Sequence, residues 1–260
     1  MPRVMILSGD QEFGDRWHDL AATSAILSRI VAGDGHHVVV RNDVQAALAT
    51  APPVDLLVFN TSLGGTEPGA GTALAPASVA GLEAHVGAGA AILAVHSAVM
   101  SFPAWPRWGE IIGARWLPDV SGHPPQATAA IRILADAGRG IADGLRDFDT
   151  DDERYTDLGL LGPRDVVAEH DEAGRPHPLA WVRSEGAAAA PIGYLGLGHD
   201  ASGYRSPTHR ELVRRFVSWA CRSISTSPRS TSHRSTSHRR EAPYGSDGGA
   251  RKSPAGGSCS

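Results

Sequence analysis

Short apolar runs alternate with helical patterns through the first hundred residues. Arg3–Leu7, His37–Val40, Val54–Phe59 and the run that ends at Val95 have the composition of buried strands. The segments between them, at residues 18–31, 43–49 and 76–86, carry apolar side chains at helical spacing. Because strands that alternate with helices pair in parallel, the pattern predicts an α/β fold built on a parallel sheet.

The pattern is less regular after residue 100. Further strands are expected at residues 128–134, 165–170, 179–182 and 192–197, some of them antiparallel, and a helix is expected over Ser206–Cys221. From Arg222 onward Ser, Arg, Gly and Pro dominate, and almost nothing is available to bury. We therefore predict one domain over residues 1–221 and a disordered tail over residues 222–260.

Composition and charge exclude several classes of protein. A net charge of −4 argues against a nucleic-acid-binding surface. No apolar run approaches the ~20 residues that span a bilayer, and Met1–Ser8 passes directly into a strand pattern without a signal-peptide architecture. We therefore expect a cytoplasmic protein with no membrane partner. The two cysteines, Cys221 and Cys259, form no disulfide framework and lie far from the candidate site, which argues against a cysteine nucleophile.

Titratable side chains follow several of the apolar runs or lie in the loops between them. These residues are His18, His96, His123, Glu153 and His199. Ligands of open α/β sheets collect where parallel strands end, so these side chains predict a site at that edge. The alternatives are structural: a single buried histidine can be a satisfied core residue, and the acidic run around Glu153 can be a solvated loop.

The residue types allow several kinds of chemistry. Clustered carboxylates in Asp149–Tyr155 should raise the pKa of at least one of them, and a carboxylate tuned in this way can act as a general acid or base. His96, His123 and His199 could instead hold a divalent metal, although no HxH or HExxH spacing supports that alternative. Ser97 follows a strand but lacks the Gly-x-Ser-x-Gly frame of a serine hydrolase.

Motifs in a fixed order make the chain similar to a known family over roughly residues 3–221. They include Trp17–His18, Gly87–Ala98, Trp108–Trp116, Gly122–Pro124, Gly140–Leu145, Asp152–Tyr155, Pro178–Trp181, Gly196–Asp200 and Ser218–Ala220. Together they resemble the ThuA-like (trehalose-utilisation) family. The resemblance implies a three-layer, flavodoxin-like α/β/α fold similar to that of class I glutamine amidotransferases. It also implies that the amidotransferase cysteine is missing, because Val95–Ser97 stands in its place, so glutamine hydrolysis is not expected. Gly186–Pro191 departs from the basic turn that is typical of the family.

The resemblance implies a small-molecule sugar as ligand, of the trehalose type or its 3-keto form. One reading is a hydrolase or lyase that converts the sugar by acid–base chemistry. On this hypothesis Glu153 is the base, and His96 and His199 are acids or metal ligands. His18 and His123 are substrate contacts or enolate stabilisers. The aromatic rings expected to stack on the sugar are those of Trp17, Trp108 and Tyr155. The alternative is a non-catalytic sugar-binding or regulatory module on the same fold. The oligomeric state stays open, a homo-oligomer included.

Overall fold

The computed structural model describes residues 1–64, 71–134, 138–185 and 190–226. The strands in these ranges are β1 (Arg3–Ser8), β2 (His37–Arg41), β3 (Leu56–Asn60), β4 (Ala91–Val95), β5 (Ala114–Arg115), β6 (Ala127–Ile133), β7 (Phe148–Asp152), β8 (Gly159–Leu160), β9 (Asp165–Glu172), β10 (Arg175–Glu185) and β11 (Ala190–Leu195). The helices are α1 (Leu20–Gly33), α2 (Val44–Thr50), α3 (Pro76–Gly87), α4 (Arg107–Ile112) and α5 (Pro207–Thr226). Single 3-10 turns occupy His96–Met100, Gly138–Gly140 and Gly203–Arg205.

Nine of the strands form one sheet in the order β2-β1-β3-β4-β11-β10-β9-β6-β7. The strands from β2 to β11 pair in parallel. The sheet then continues through antiparallel pairs from β11 to β7. β5 and β8 make a separate short ladder. The predicted α/β fold with its parallel sheet is therefore confirmed, and the antiparallel pairs expected after residue 100 extend the sheet on one side.

Successive side chains of the central strands enter two different cores. In β1, Val4 and Ile6 pack in the same core as residues of α1 and α5. Met5 and Leu7 point to the opposite face, where residues of α2, α3 and α4 cover the sheet. This alternation follows from the two-residue repeat of a strand, and it gives the three-layer arrangement that the resemblance implied.

Two helix boundaries differ from the prediction. α1 begins at Leu20 because the Asp19 side chain accepts the backbone N–H of Ala22 at 3.0 Å and caps the helix, so His18 lies in the preceding loop. α5 continues to Thr226, beyond the predicted end at Cys221. The rest of the predicted tail, and residues 186–189 of the unusual Gly186–Pro191 turn, lie outside the described residues. Among the described helices, none is long and apolar enough to cross a membrane.

The close packing of α3 on α2 provides a test of the fold. A Cβ atom at Gly81 would overlap the carbonyl oxygen of Leu48, whereas a Cβ atom at Gly87 in the same helix would meet nothing within 4 Å. We expect Gly81→Ala to destabilise the protein by about 1–3 kcal/mol, because the backbone of α2 must move away. Gly87→Ala should be neutral or slightly stabilising. Urea unfolding of both variants measures the difference, and equal stabilities would contradict the packing.

The burial of His209 on α5 predicts a loss of stability in acid. The ring is fully buried and stacks on Tyr204 with centroids 4.5 Å apart. Burial lowers the pKa of His209 to about 4, whereas the unfolded chain titrates near 6.5. The unfolded state therefore binds more protons between these values, so this contribution to stability is complete above pH 6.5 and is lost as the pH falls towards 4.

The measurement compares urea unfolding of the wild type and His209→Phe at pH 7 and pH 5. The variant should lose less stability on acidification than the wild type does, because the phenyl ring cannot take up a proton. The same loss in both proteins would show that His209 contributes nothing to the acid sensitivity.

Candidate active site

The candidate site lies where four strands end at one edge of the sheet. His18 belongs to the loop after β1, His96 directly follows β4, and His199 follows β11, and these three strands run in parallel. Glu153 directly follows β7, which points in the same direction because four successive antiparallel pairs separate it from β11. His123 comes from the loop between β5 and β6. The predicted gathering of strand-end residues therefore has a topological basis.

The carboxylate of Glu153 lies at the centre of the four histidines. Its Oε2 atom is 3.3 Å from Nε2 of His96, 3.2 Å from Nδ1 of His199 and 3.8 Å from Nε2 of His18. Its Oε1 atom is 2.8 Å from Nδ1 of His123. The structure thus brings together all five of the titratable residues that the sequence singled out. We call them the Glu153 cluster.

Asp152 holds Glu153 and His199 in place. This buried carboxylate accepts the backbone N–H groups of Glu153 at 2.9 Å, Gly198 at 2.9 Å and His199 at 3.0 Å. The φ of +122° at Gly198 favours glycine, and a Cβ atom there would press on Tyr204. Although β10, β9 and β6 separate β7 from β11 in the sheet, these hydrogen bonds tie their ends together. The antiparallel side of the sheet therefore folds back over the parallel edge.

The neighbouring carboxyl groups of Asp152 and Glu153 have pKa shifts in opposite directions. Burial raises the pKa of Asp152 to about 7, although its three backbone hydrogen bonds oppose the shift. Burial would also raise the pKa of Glu153, but the imidazoles of His18, His199 and His96 outweigh it and hold that pKa well below its usual range. The acidic run does raise one pKa, as the sequence predicted. However, the group is Asp152 rather than Glu153, and the cause is burial rather than repulsion between carboxylates.

Asp15 orients His18 and was not identified from the sequence. Both of its carboxylate oxygens lie 2.8 Å from Nδ1 of His18, and it also accepts the Ser62 hydroxyl at 2.5 Å and the Trp17 backbone N–H at 2.8 Å. Burial would lower the pKa of His18, but Asp15 and Glu153 outweigh it and raise that pKa to about 9. Burial would likewise raise the pKa of Asp15, and the contact with His18 brings it down to about 2. The pair is therefore charged at neutral pH.

His96 occupies the turn between β4 and the following 3-10 helix. Its φ of +45° lies in the left-handed region, which residues other than glycine adopt uncommonly. Its Nδ1 is 2.7 Å from the carbonyl oxygen of Gly196, so Nδ1 carries the hydrogen and donates it. Burial lowers the pKa of His96 to about 4, which keeps the ring neutral, with the lone pair of Nε2 directed at Glu153. Tyr155 covers this ring in a stacked arrangement, with centroids 4.4 Å apart.

Of the three aromatic residues proposed to stack on a sugar, Trp108 and Tyr155 are buried and Trp17 is exposed. Trp108 is only 1% exposed and packs in the core, where its indole N–H donates to the carbonyl of Ala98, so no ring face is open to a ligand. Trp17 exposes 51% of its surface and lies beside the guanidinium of Arg16. The sequence showed that these residues are aromatic but not which way each ring points.

Tyr155 and Trp116 form the aromatic wall beside the Glu153 cluster. Tyr155 is buried, and its hydroxyl lies 3.3 Å from Nε2 of His18. Trp116 is partly buried and packs edge-on to Tyr155, with ring centroids 5.2 Å apart. The same indole lies 6.5 Å from the ring of His123. Trp116 was not selected as a site residue from the sequence, because its contacts with Tyr155 and His123 arise only in the folded chain.

Ser97 is not placed as a nucleophile. Its side chain is completely buried and donates a hydrogen bond to the Thr61 carbonyl at 3.0 Å. The residue at the turn after the strand is His96, so the position that an activated serine or cysteine would need carries an imidazole. A Ser97-dependent hydrolase therefore has no support from this geometry.

Comparison with known proteins agrees with the fold and the motif order. A family model described as ThuA, trehalose utilisation, matches residues 3–220. The structure is similar to ThuA-like proteins from Parabacteroides merdae (TM-score 0.65, 17% identity, covering 85% of this chain and 90% of that one) and Bacteroides uniformis (TM-score 0.63, 13% identity, 84% and 90%). No curated protein matches the sequence. The chain belongs to the ThuA family.

The hydrogen bonds to Asp152 predict a specific sensitivity of the site. Asp152→Asn replaces one accepting oxygen by an amide that faces backbone N–H donors, so we expect a loss of about 1–3 kcal/mol. Asp149→Asn is the matched control, because Asp149 is exposed on the same strand. Chemical denaturation measures both variants. If Asp152→Asn is as stable as Asp149→Asn, Asp152 does not join β7 to the loop after β11.

Proposed function

We propose that this ThuA-family protein is an enzyme of sugar utilisation that moves protons on an oxidised sugar, a 3-keto glycoside of the trehalose type, and releases the glycosidic oxygen. The observation that carries the proposal is one carboxylate placed within 3.8 Å of ring nitrogens from four histidines. Histidine and carboxylate side chains are the groups that most often transfer protons in enzymes. The match to a family described as trehalose utilisation supports a sugar as the substrate class.

The proposed reaction is an elimination. The ketone at carbon 3 acidifies the hydrogen on carbon 2, and a base removes it as a proton. The electron pair of that C–H bond forms the double bond between carbons 1 and 2, while the bond from carbon 1 to the glycosidic oxygen breaks. The leaving oxygen takes up a proton and departs as an alcohol. The site must therefore supply a proton acceptor, a proton donor and groups that stabilise the enolate.

The exposed fraction of each side chain is the basis on which we assign roles within the Glu153 cluster. His123 exposes 41% of its side chain, whereas Glu153 exposes 10%. Nδ1 of His123 lies 2.8 Å from Glu153 and 3.0 Å from the Pro124 carbonyl, so it carries the hydrogen and leaves the lone pair on Nε2. We assign the removal of the carbon-bound proton to His123, with Glu153 orienting the ring. Glu153, the base expected from the sequence, then serves as the partner of this base.

The remaining polar groups suit the other parts of the reaction. His199 is the next most accessible member of the cluster, with 14% of its side chain exposed, and we assign it the proton that goes to the leaving oxygen. Trp116 stands beside His123 and offers an indole on which the apolar face of a sugar can pack. The cytoplasmic location expected from the sequence stays a prediction.

The experiment incubates the purified protein with trehalose and with 3-keto-trehalose, and follows products by mass spectrometry and binding by calorimetry. Release of glucose from the keto sugar alone supports the elimination. Equal cleavage of trehalose would contradict it, because trehalose has no ketone to acidify the hydrogen. Binding without any product would instead favour the non-catalytic sugar-binding module.

Two substitutions test the assignment of roles. Glu153→Gln and His123→Ala should each lower turnover of the keto sugar by about 10²-fold or more, because each removes a partner in proton transfer. His37→Ala, at an exposed histidine on β2, is the control and should retain full turnover. Melting temperatures show whether the variants remain folded. A folded His123→Ala variant with wild-type turnover would remove His123 from the mechanism.

A further inference from the structure

We infer that His18, His96, His199 and Glu153 form a binding site for one divalent transition-metal ion. Each residue offers one donor atom, and the four donor atoms lie within 4.8 Å of one another. The site uses the buried oxygen of Glu153, whereas His123 faces the other oxygen. The carboxylate of Glu153 therefore faces the proposed histidine ligands with one oxygen and the more exposed His123 with the other.

The spacing of the donor atoms suits a shared ion. Donors that bind one metal at about 2.0–2.2 Å in a tetrahedron lie about 3.3–3.6 Å apart. Oε2 of Glu153 lies 3.2 Å, 3.3 Å and 3.8 Å from the nitrogens of His199, His96 and His18. The carboxylate oxygen of Glu153 therefore already lies at approximately the distance from each of the three nitrogens that a shared ion requires.

Two of the ring nitrogens need a partner that the protein does not supply. Nε2 of His96 and Nδ1 of His199 are buried, and among the described residues neither makes a hydrogen bond. His96 gives its one hydrogen to Gly196 through Nδ1, so the lone pair of Nε2 faces a carboxylate oxygen, which is itself an acceptor. Two acceptors in contact away from water are unfavourable. A metal cation placed between them satisfies both.

In His18 and His96, the ring nitrogen that does not contact Glu153 has the kind of partner that metal-binding histidines usually have. Such a histidine usually donates its other ring N–H to a carboxylate or a backbone carbonyl, which fixes the tautomer and the ring direction. Nδ1 of His18 contacts the Asp15 carboxylate at 2.8 Å, and Nδ1 of His96 contacts the Gly196 carbonyl at 2.7 Å. Nε2 of His96 already presents its lone pair towards Glu153, whereas Nε2 of His18 presents one only after a bound ion displaces its proton.

The donor set selects the class of metal. Three imidazoles and one carboxylate suit Zn²⁺, Co²⁺, Ni²⁺ or Fe²⁺, whereas Mg²⁺ and Ca²⁺ prefer oxygen ligands. The inference deepens the proposed function, and any role of the ion in turnover rests on that function. Metal binding itself is measured without a sugar, so the two proposals can fail separately.

The experiment uses the full chain, treated with a chelator and then dialysed against Zn²⁺, Co²⁺, Ni²⁺ or Mg²⁺. Elemental analysis should find about one transition-metal ion per chain and no retained Mg²⁺. Zn²⁺ should raise the melting temperature, since an ion that binds only the folded state stabilises it. Co²⁺ should give the visible absorption of a nitrogen-ligated site. Less than a tenth of an ion per chain for every transition metal would overturn the proposal.

Variants separate the ligands from their neighbours. His199→Ala and His18→Ala should each weaken Zn²⁺ binding by at least about 100-fold, and Asp15→Asn, which acts through His18, by about 10- to 100-fold. His37→Ala, at an exposed histidine on β2, is the matched control and should bind Zn²⁺ like the wild type. Circular dichroism confirms folding before each titration. Unchanged binding in both folded ligand variants, or an equal loss in His37→Ala, would contradict the assigned ligand set.

Discussion

The burial of one negative charge determines how this site is built. A carboxylate removed from water must be surrounded by cations or hydrogen-bond donors, or it will take up a proton instead. Among the described residues, imidazoles surround the carboxylate of Glu153, and two of them contribute in different ways. His18 carries a positive charge that Asp15 balances, while His96 stays neutral because it is buried. His18 is thus a charged neighbour of Glu153, and His96 is a neutral one.

The parallel and antiparallel halves of the sheet supply different residues to the site around Glu153. The parallel half supplies His18, His96 and His199 from the ends of β1, β4 and β11. The antiparallel half supplies Glu153 and its anchor Asp152 from the end of β7. Neither half forms this site without the other, because the parallel edge supplies three imidazoles and the antiparallel edge supplies the carboxylate between them. The site therefore depends on the contact between the ends of β7 and β11 as much as on the strand order.

The sequence predicted the parallel half well, since alternating strands and helices leave few possible topologies and place strand-end residues on one edge. The set of His18, His96, His123, Glu153 and His199 followed from that reasoning and from the family resemblance. The roles of Asp15 and Asp152 did not follow, because each acts through hydrogen bonds that local sequence does not encode. Trp108 shows a related limit: composition identifies an aromatic ring, while only packing decides whether one face stays open.

The strained backbone at His96 has a consequence for evolution of the fold. A turn with φ of +45° destabilises the protein slightly, whatever chemistry its side chain performs. Such a turn persists only if the surrounding strands enforce it, and here β4 lies between β3 and β11 in the centre of the sheet. The scaffold therefore presents whatever residue occupies that turn to the same cleft. A residue that replaced His96 in the course of evolution would therefore take the same position beside Glu153.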